Sequence, residues 1–152
     1  MIRPMEPRDK GPVMGHIRAT GFFTPAEVAV ILRELKGVHW LIACLQYGSG
    51  LRLLESVRIR VKDLDFDHRA ILVRDGKGGK DRVVTLPDEL VVPLERHLAN
   101  RRTAFERDCA QGVGSVYLPH ALARKYPNAP SEWAWQYVFA ADSLSIDPRS
   151  GE

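Results

Sequence analysis

Apolar residues first become periodic after position 22. Val28, Ile31, Leu32 and Leu35 recur three or four residues apart, the spacing of a helix with one face on a core. Thr24-Pro25-Ala26-Glu27 marks where that helix starts: Thr24 caps it, proline takes the first helical position and Glu27 closes a capping box. Gly37 ends it. A second helix, about 38–47, turns Leu41, Ile42 and Leu45 inward; Gly48-Ser49-Gly50 breaks it, and a short third helix begins near Arg52. From Leu64 the pattern changes to short β segments at 64–66, 70–74 and 82–86, separated by Asp67-His68-Arg69 and by a tip at 75–80, which predicts three antiparallel strands. After Pro87-Asp88 a longer helix, about 91–109, aligns Val91, Leu94, Leu98 and Phe105. Pro93 has no N–H to donate, so it is expected in that helix's first turn. The fold class is α+β: mainly helical with a small three-stranded antiparallel sheet.

The two ends differ from this middle. Residues 1–21 are rich in proline, glycine and charge without periodicity and read as a flexible arm. Past Gln111-Gly112-Val113-Gly114 a short helix is expected over 119–125, broken by Tyr126-Pro127-Asn128-Ala129-Pro130. Trp133, Trp135, Tyr137 and Phe139 then alternate. That alternation reads as one face of a short strand packed on the core.

At 152 residues, 45% hydrophobic and 27% charged, the chain has the size and composition of one ordinary soluble domain. No apolar stretch approaches the roughly 20 residues that span a bilayer, and Met1 to Lys10 lacks the apolar region of a signal peptide, so a cytoplasmic protein with no membrane partner is expected. Cys44 and Cys109 have no metal-ligand spacing and read as reduced, buried thiols; no metal and no cofactor is called for. The net charge is only +3, but residues 52–82 hold nine basic against six acidic side chains, while 83–152 are net negative. Position therefore says more than the sum.

That basic segment holds the candidate chemistry. Arg52 follows Gly48-Ser49-Gly50-Leu51 at a helix start, where a guanidinium fork and free backbone N–H groups can meet one phosphate; equally, it can be a surface arginine paired with Glu55. Lys77, 25 residues on, sits in Gly76-Lys77-Gly78-Gly79-Lys80-Asp81-Arg82, either reaching the same phosphate or solvated in a turn. The glycine motif is too short for a nucleotide-binding P-loop and opens no helix.

Gly48-Ser49-Gly50-Leu51-Arg52-Leu53-Leu54-Glu55, Val61-Lys62-Asp63-Leu64-Asp65-Phe66-Asp67 and Ile71-Leu72-Val73-Arg74-Asp75-Gly76-Lys77-Gly78-Gly79-Lys80-Asp81-Arg82 together resemble the first half of a tyrosine recombinase (phage integrase) catalytic domain. More narrowly the chain is similar to integron integrases, through Leu118 to Pro127, the Trp133/Trp135 cluster with Val138-Phe139-Ala140, and Asp147-Pro148-Arg149-Ser150-Gly151. The resemblance divides the chain into an arm at 1–21, the first half of the catalytic domain at 22–110, and a subgroup insert with a truncated end at 111–152.

By that resemblance Arg52 is the first catalytic arginine, clamping the scissile phosphate, Lys77 is the hairpin lysine that protonates the leaving 5′ oxygen, and Glu55 is the acidic residue bracing the site. Lys80, Arg82, Arg124 and Lys125 are expected along the DNA, with Trp133 and Trp135 against extrahelical bases of folded single-strand sites. Leu54 departs from the motif, where a small polar residue is commoner. The family's second half, with its His-x-x-Arg and nucleophilic tyrosine, would begin beyond Glu152; Tyr47, Tyr117, Tyr126 and Tyr137 match no nucleophile. The expectation is thus a recombinase fragment that binds DNA weakly, cannot cleave it alone, and self-associates through uncovered surface. The alternative is a non-enzymatic module that binds nucleic acid or a recombinase subunit.

Overall fold

A computed structural model describes residues 23–76 and 78–141, the side chain of His120 excepted. The predicted arm at 1–21, Lys77 and the Asp147 to Gly151 motif lie outside the described residues. Helix α1 spans Pro25–Glu34 with the capping box in place: the Glu27 N–H donates to Thr24 Oγ1 at 3.3 Å and the Thr24 N–H to Glu27 Oε2 at 2.7 Å. Its buried face is Val28, Ala29 and Leu32, so Ile31, expected inward, is 40% exposed. Helix α2 (Gly37–Ser49) buries Trp40, Leu41, Cys44 and Leu45 and ends where Gly50 turns left-handed at φ +67°. A Cβ at Gly48 would lie 2.7 Å from Pro87 Cγ, so the glycine lets α2 pack on the start of the next long helix.

Helix α3 is short, Leu53–Val57. Its buried Ser56 Oγ donates toward the Leu53 carbonyl at 2.8 Å and accepts from Gln46 Nε2 at 3.2 Å, tying α3 to α2. A 3-10 turn, Val61–Asp63, leads into the sheet: β1 (Leu64–Asp65), β2 (Ala70–Val73) and β3 (Arg82–Thr85), antiparallel in that order. Leu64 faces Ile71, Ile71 faces Val84 and Val73 faces Arg82. Ile71 and Val73 fill one face of β2 and join Leu32, Leu45, Leu90 and Leu94 in a single core.

Helix α4 (Asp88–Ala110) begins three residues before the expected start, because Asp88 and Glu89 favour the positive end of the helix dipole. Pro93 is consequently its sixth residue and lies past the first turn, its ring buried against the core. Of the two cysteines only Cys44 is buried; Cys109 is exposed, since the apolar face of α4 has ended at Phe105.

The segment after α4 carries a short helix α5 (His120–Lys125) and two 3-10 turns, Ala129–Ser131 and Trp133–Trp135. The expected strand through the aromatics is absent among the described residues: one isolated bridge joins Tyr137 to Arg60. In a strand, residues two apart share a face; in a 3-10 turn, with three residues per revolution, Trp133 and Trp135 diverge. Trp133 packs on Phe105 of α4, ring centroids 5.6 Å apart, whereas Trp135 lies over Lys62 and beside Tyr126.

Candidate phosphate-binding site

The turn at Gly50 and the buried Ser56 fix α3 so that Arg52 is its N-cap rather than a first-turn residue. The Arg52 backbone N–H donates to Glu55 Oε2 at 2.8 Å, so it is engaged inside the site instead of free for a phosphate. Arg52 Nη1 donates to Glu55 Oε1 at 3.0 Å. From β3, Arg82 reaches the same carboxylate in a fork: Nη1 to Oε1 at 2.8 Å and Nη2 to Oε2 at 2.7 Å. Each oxygen of Glu55 thus accepts two bonds, and its side chain is only 8% exposed. The Arg82 hydrogen bonds, reinforced by the Arg52 N–H, outweigh desolvation and hold the Glu55 carboxyl at about 2, while Arg82 is raised by the same partner. Glu55 is an anion at any physiological pH, and Arg52, 58% exposed, keeps the rest of its guanidinium accessible. A cation held on one side and open on the other is suited to receiving an oxyanion without reorganising.

A second ion pair supports the neighbouring loop. Arg74 Nε donates to Asp63 Oδ1 at 2.7 Å, and Asp63, buried, also accepts the Arg60 backbone N–H at 3.2 Å. Arg60 carried no sequence signal, yet it fastens the segment after α4 to the core. Its Nη1 donates to the Trp135 carbonyl at 2.5 Å and its Nη2 to the Tyr117 carbonyl at 3.0 Å and the Tyr137 hydroxyl at 3.1 Å, with the guanidinium carbon 4.4 Å from the Tyr137 ring centroid. Gln136, also buried, donates to the Gly114 and Pro130 carbonyls at 3.2 and 3.0 Å. Only the fold could reveal these two residues, because most of their bonds go to backbone carbonyls, which no side-chain pattern marks, and Arg60 reaches partners 57 to 77 residues away.

Between this segment and the sheet lies a cleft of about 540 Å³, whose walls include Glu55, Lys62, Arg74, Tyr126 and Trp135. Burial and the nearby Arg74 push Lys62 below its ordinary value. Of the sequence-predicted site residues, the structure brings together Arg52, Glu55 and Arg82. Lys80 is exposed at the base of the hairpin, and Arg124 and Lys125 are exposed at the end of α5. Trp133 stands apart from Trp135, against α4 with Arg102 5.3 Å from its ring centroid. Among the described residues no group of three or more His, Cys, Asp or Glu side chains could hold a metal, and no helix is long and apolar enough to cross a membrane.

Residues 22–126, which contain this whole arginine–carboxylate cluster, match the phage integrase family. The chain belongs to that family. It is similar to proteins named integrase/recombinase from Escherichia coli and from Pseudomonas aeruginosa, each 51% identical over 128 residues, or 84% of this chain and 38% of the relative. It is also 42% identical, over 62 residues, to the tyrosine recombinase XerA of Pyrococcus horikoshii, covering 41% of this chain and 22% of that protein. This phage integrase family chain thus spans about two fifths of the length of its two integrase/recombinase relatives. The family match begins one residue before the first described position and runs to Tyr126, taking in α1 to α5 and the sheet.

Proposed function

We propose that the chain is part of a site-specific tyrosine recombinase of the integron type, acting in DNA integration and recombination from the cytoplasm. Residues 22–110 form the first half of the catalytic domain, residues 111–152 the subgroup's inserted segment and residues 1–21 an arm. Arg52 clamps a phosphodiester, Glu55 braces Arg52, and Lys77 donates a proton to the leaving oxygen. Lys80, Arg124 and Lys125 contact the nucleic-acid backbone, and Trp133 and Trp135 offer separate faces to unpaired bases of folded single-strand sites. None of the four tyrosines has a nucleophile's setting, so the 152-residue chain binds DNA without cleaving it.

The observation that carries this reading is the exposed Arg52 fixed to a buried, doubly paired Glu55 within the family-matched segment. Fluorescence anisotropy with a short DNA duplex tests it. Arg52→Ala is expected to weaken binding roughly 10- to 100-fold, as for one lost charge-assisted contact, and to flatten the salt dependence by about one phosphate's worth. Binding that survives Arg52→Ala and Lys77→Ala but disappears when Trp133 and Trp135 are changed would replace the recombinase reading with a non-enzymatic nucleic-acid module. A covalent adduct with a nicked suicide substrate would refute the claim that this chain does not cleave.

A further inference from the structure

Arg82 reads from the sequence as a DNA contact, but its geometry is that of an internal strut. Both of its terminal nitrogens donate to Glu55, at 2.8 and 2.7 Å, and its side chain is 35% exposed against 58% for Arg52. The two parallel bonds fix the plane of the carboxylate. That plane in turn sets Arg52, which shares Oε1 through its Nη1 and Oε2 through its backbone N–H. Swinging Arg82 out to a phosphate would strip two of the four hydrogen bonds that Glu55, 8% exposed, accepts from the two arginines, a costly change for a buried carboxylate.

The strut also touches the hairpin. A Cβ at Gly76 would lie 2.8 Å from Arg82 Nη1, 3.0 Å from the Lys80 carbonyl and 3.5 Å from Glu55 Oε1. The guanidinium therefore occupies the space that any side chain at 76 would need. Gly76 is itself held at the hairpin base, its N–H donating to the Lys80 carbonyl at 3.1 Å.

We infer that Arg82 is a positioning residue, which orients Arg52 through Glu55 and couples it to the base of the hairpin at Gly76, and that it makes no phosphate contact of its own. The inference rests on the phosphate-clamp reading above. Two measurements on the 152-residue chain test it. The first is a double-mutant cycle on binding of a labelled DNA duplex. Arg82→Ala is expected to weaken binding roughly tenfold when Arg52 is present and by less than about twofold in the Arg52→Ala background, because it acts only through Arg52. Losses that multiply, with a further drop in salt dependence, would make Arg82 an independent phosphate contact and overturn the inference.

The second measurement needs no DNA. The ¹⁵Nε–¹Hε order parameter of Arg52 is expected to fall in Arg82→Ala and in Gly76→Ala, with Arg82→Lys between them and the native chain. Gly76→Ala keeps every charge and serves if Arg82→Ala does not fold. An Arg52 side chain as ordered in these variants as in the native protein would refute the coupling. Failure of the phosphate reading looks different: Arg52→Ala would then leave DNA affinity unchanged while the order parameter still responded to Arg82.

Discussion

Truncating Arg60 to alanine removes the fastening between the core and the segment after α4. The native side chain makes three hydrogen bonds, to the Trp135 and Tyr117 carbonyls and the Tyr137 hydroxyl, in a residue 9% exposed. It adds a cation–π contact at 4.4 Å to Tyr137. Hydrogen bonds to a charged donor contribute about 1.5–3 kcal/mol each, but such losses overlap, and the carbonyls regain some water. A net cost of about 3–5 kcal/mol follows, in the range of a broken buried ionic network. With a urea slope of about 1–3 kcal/mol/M, the midpoint should move down by roughly 2 M. Hydrogen exchange adds a local signature. The Val61 and Val138 amides, which donate to the Gln136 and Ile59 carbonyls at 3.0 and 2.9 Å, should lose protection more than the amides pairing β2 with β3. A loss below about 1 kcal/mol, or uniform loss of protection, would refute Arg60 as the fastening.

Three further outcomes follow from other contacts. The Glu55 carboxyl is held at about 2 against an ordinary 4.5, so its contribution to stability is complete above about pH 4.5 and is lost as pH falls toward 2. Glu55→Gln should therefore be less stable than the native chain by about 2 kcal/mol at pH 7, allowing for the exposure of Arg52, and the two denaturation curves should converge in acid. Gly48→Ala places a methyl 2.7 Å from Pro87 Cγ and should cost about 1–3 kcal/mol in chemical denaturation; a neutral result would mean that α2 and α4 yield easily. Leu53 and Leu54, 62% and 60% exposed next to Arg52, form an apolar surface on α3, and the chain is expected to self-associate through it. Light scattering should show a smaller mass for Leu53→Gln/Leu54→Gln, and an unchanged mass would place the association elsewhere.

Local rules carried much of the fold. The capping box at Thr24, the glycine turn that closes α2 and the three strand segments are short-range patterns, and each appears at the expected place within two or three residues, whereas α1 ends at Glu34 with Leu35 as its cap and Gly37, expected to stop it, opens α2. The failures have short physical causes. The acidic residues Asp88 and Glu89 extend α4 toward its N-terminus, which puts Pro93 beyond the first turn. Alternating aromatics mimic a strand, but Trp133 starts a 3-10 turn whose rings find partners on α4 and at Lys62.

The sequence by itself placed Arg52 and Glu55 at one helix start, since the glycine turn and a carboxylate three residues after the arginine are carried by neighbouring positions, and it offered Arg52 equally to a phosphate or to Glu55. Tertiary structure alone decided how they are used. Arg82 lies 27 residues from Glu55 along the chain, and Arg60 lies 57 to 77 residues from its partners. Hydrogen-bond geometry at that separation depends on how the sheet and the helices pack, and no local periodicity records it.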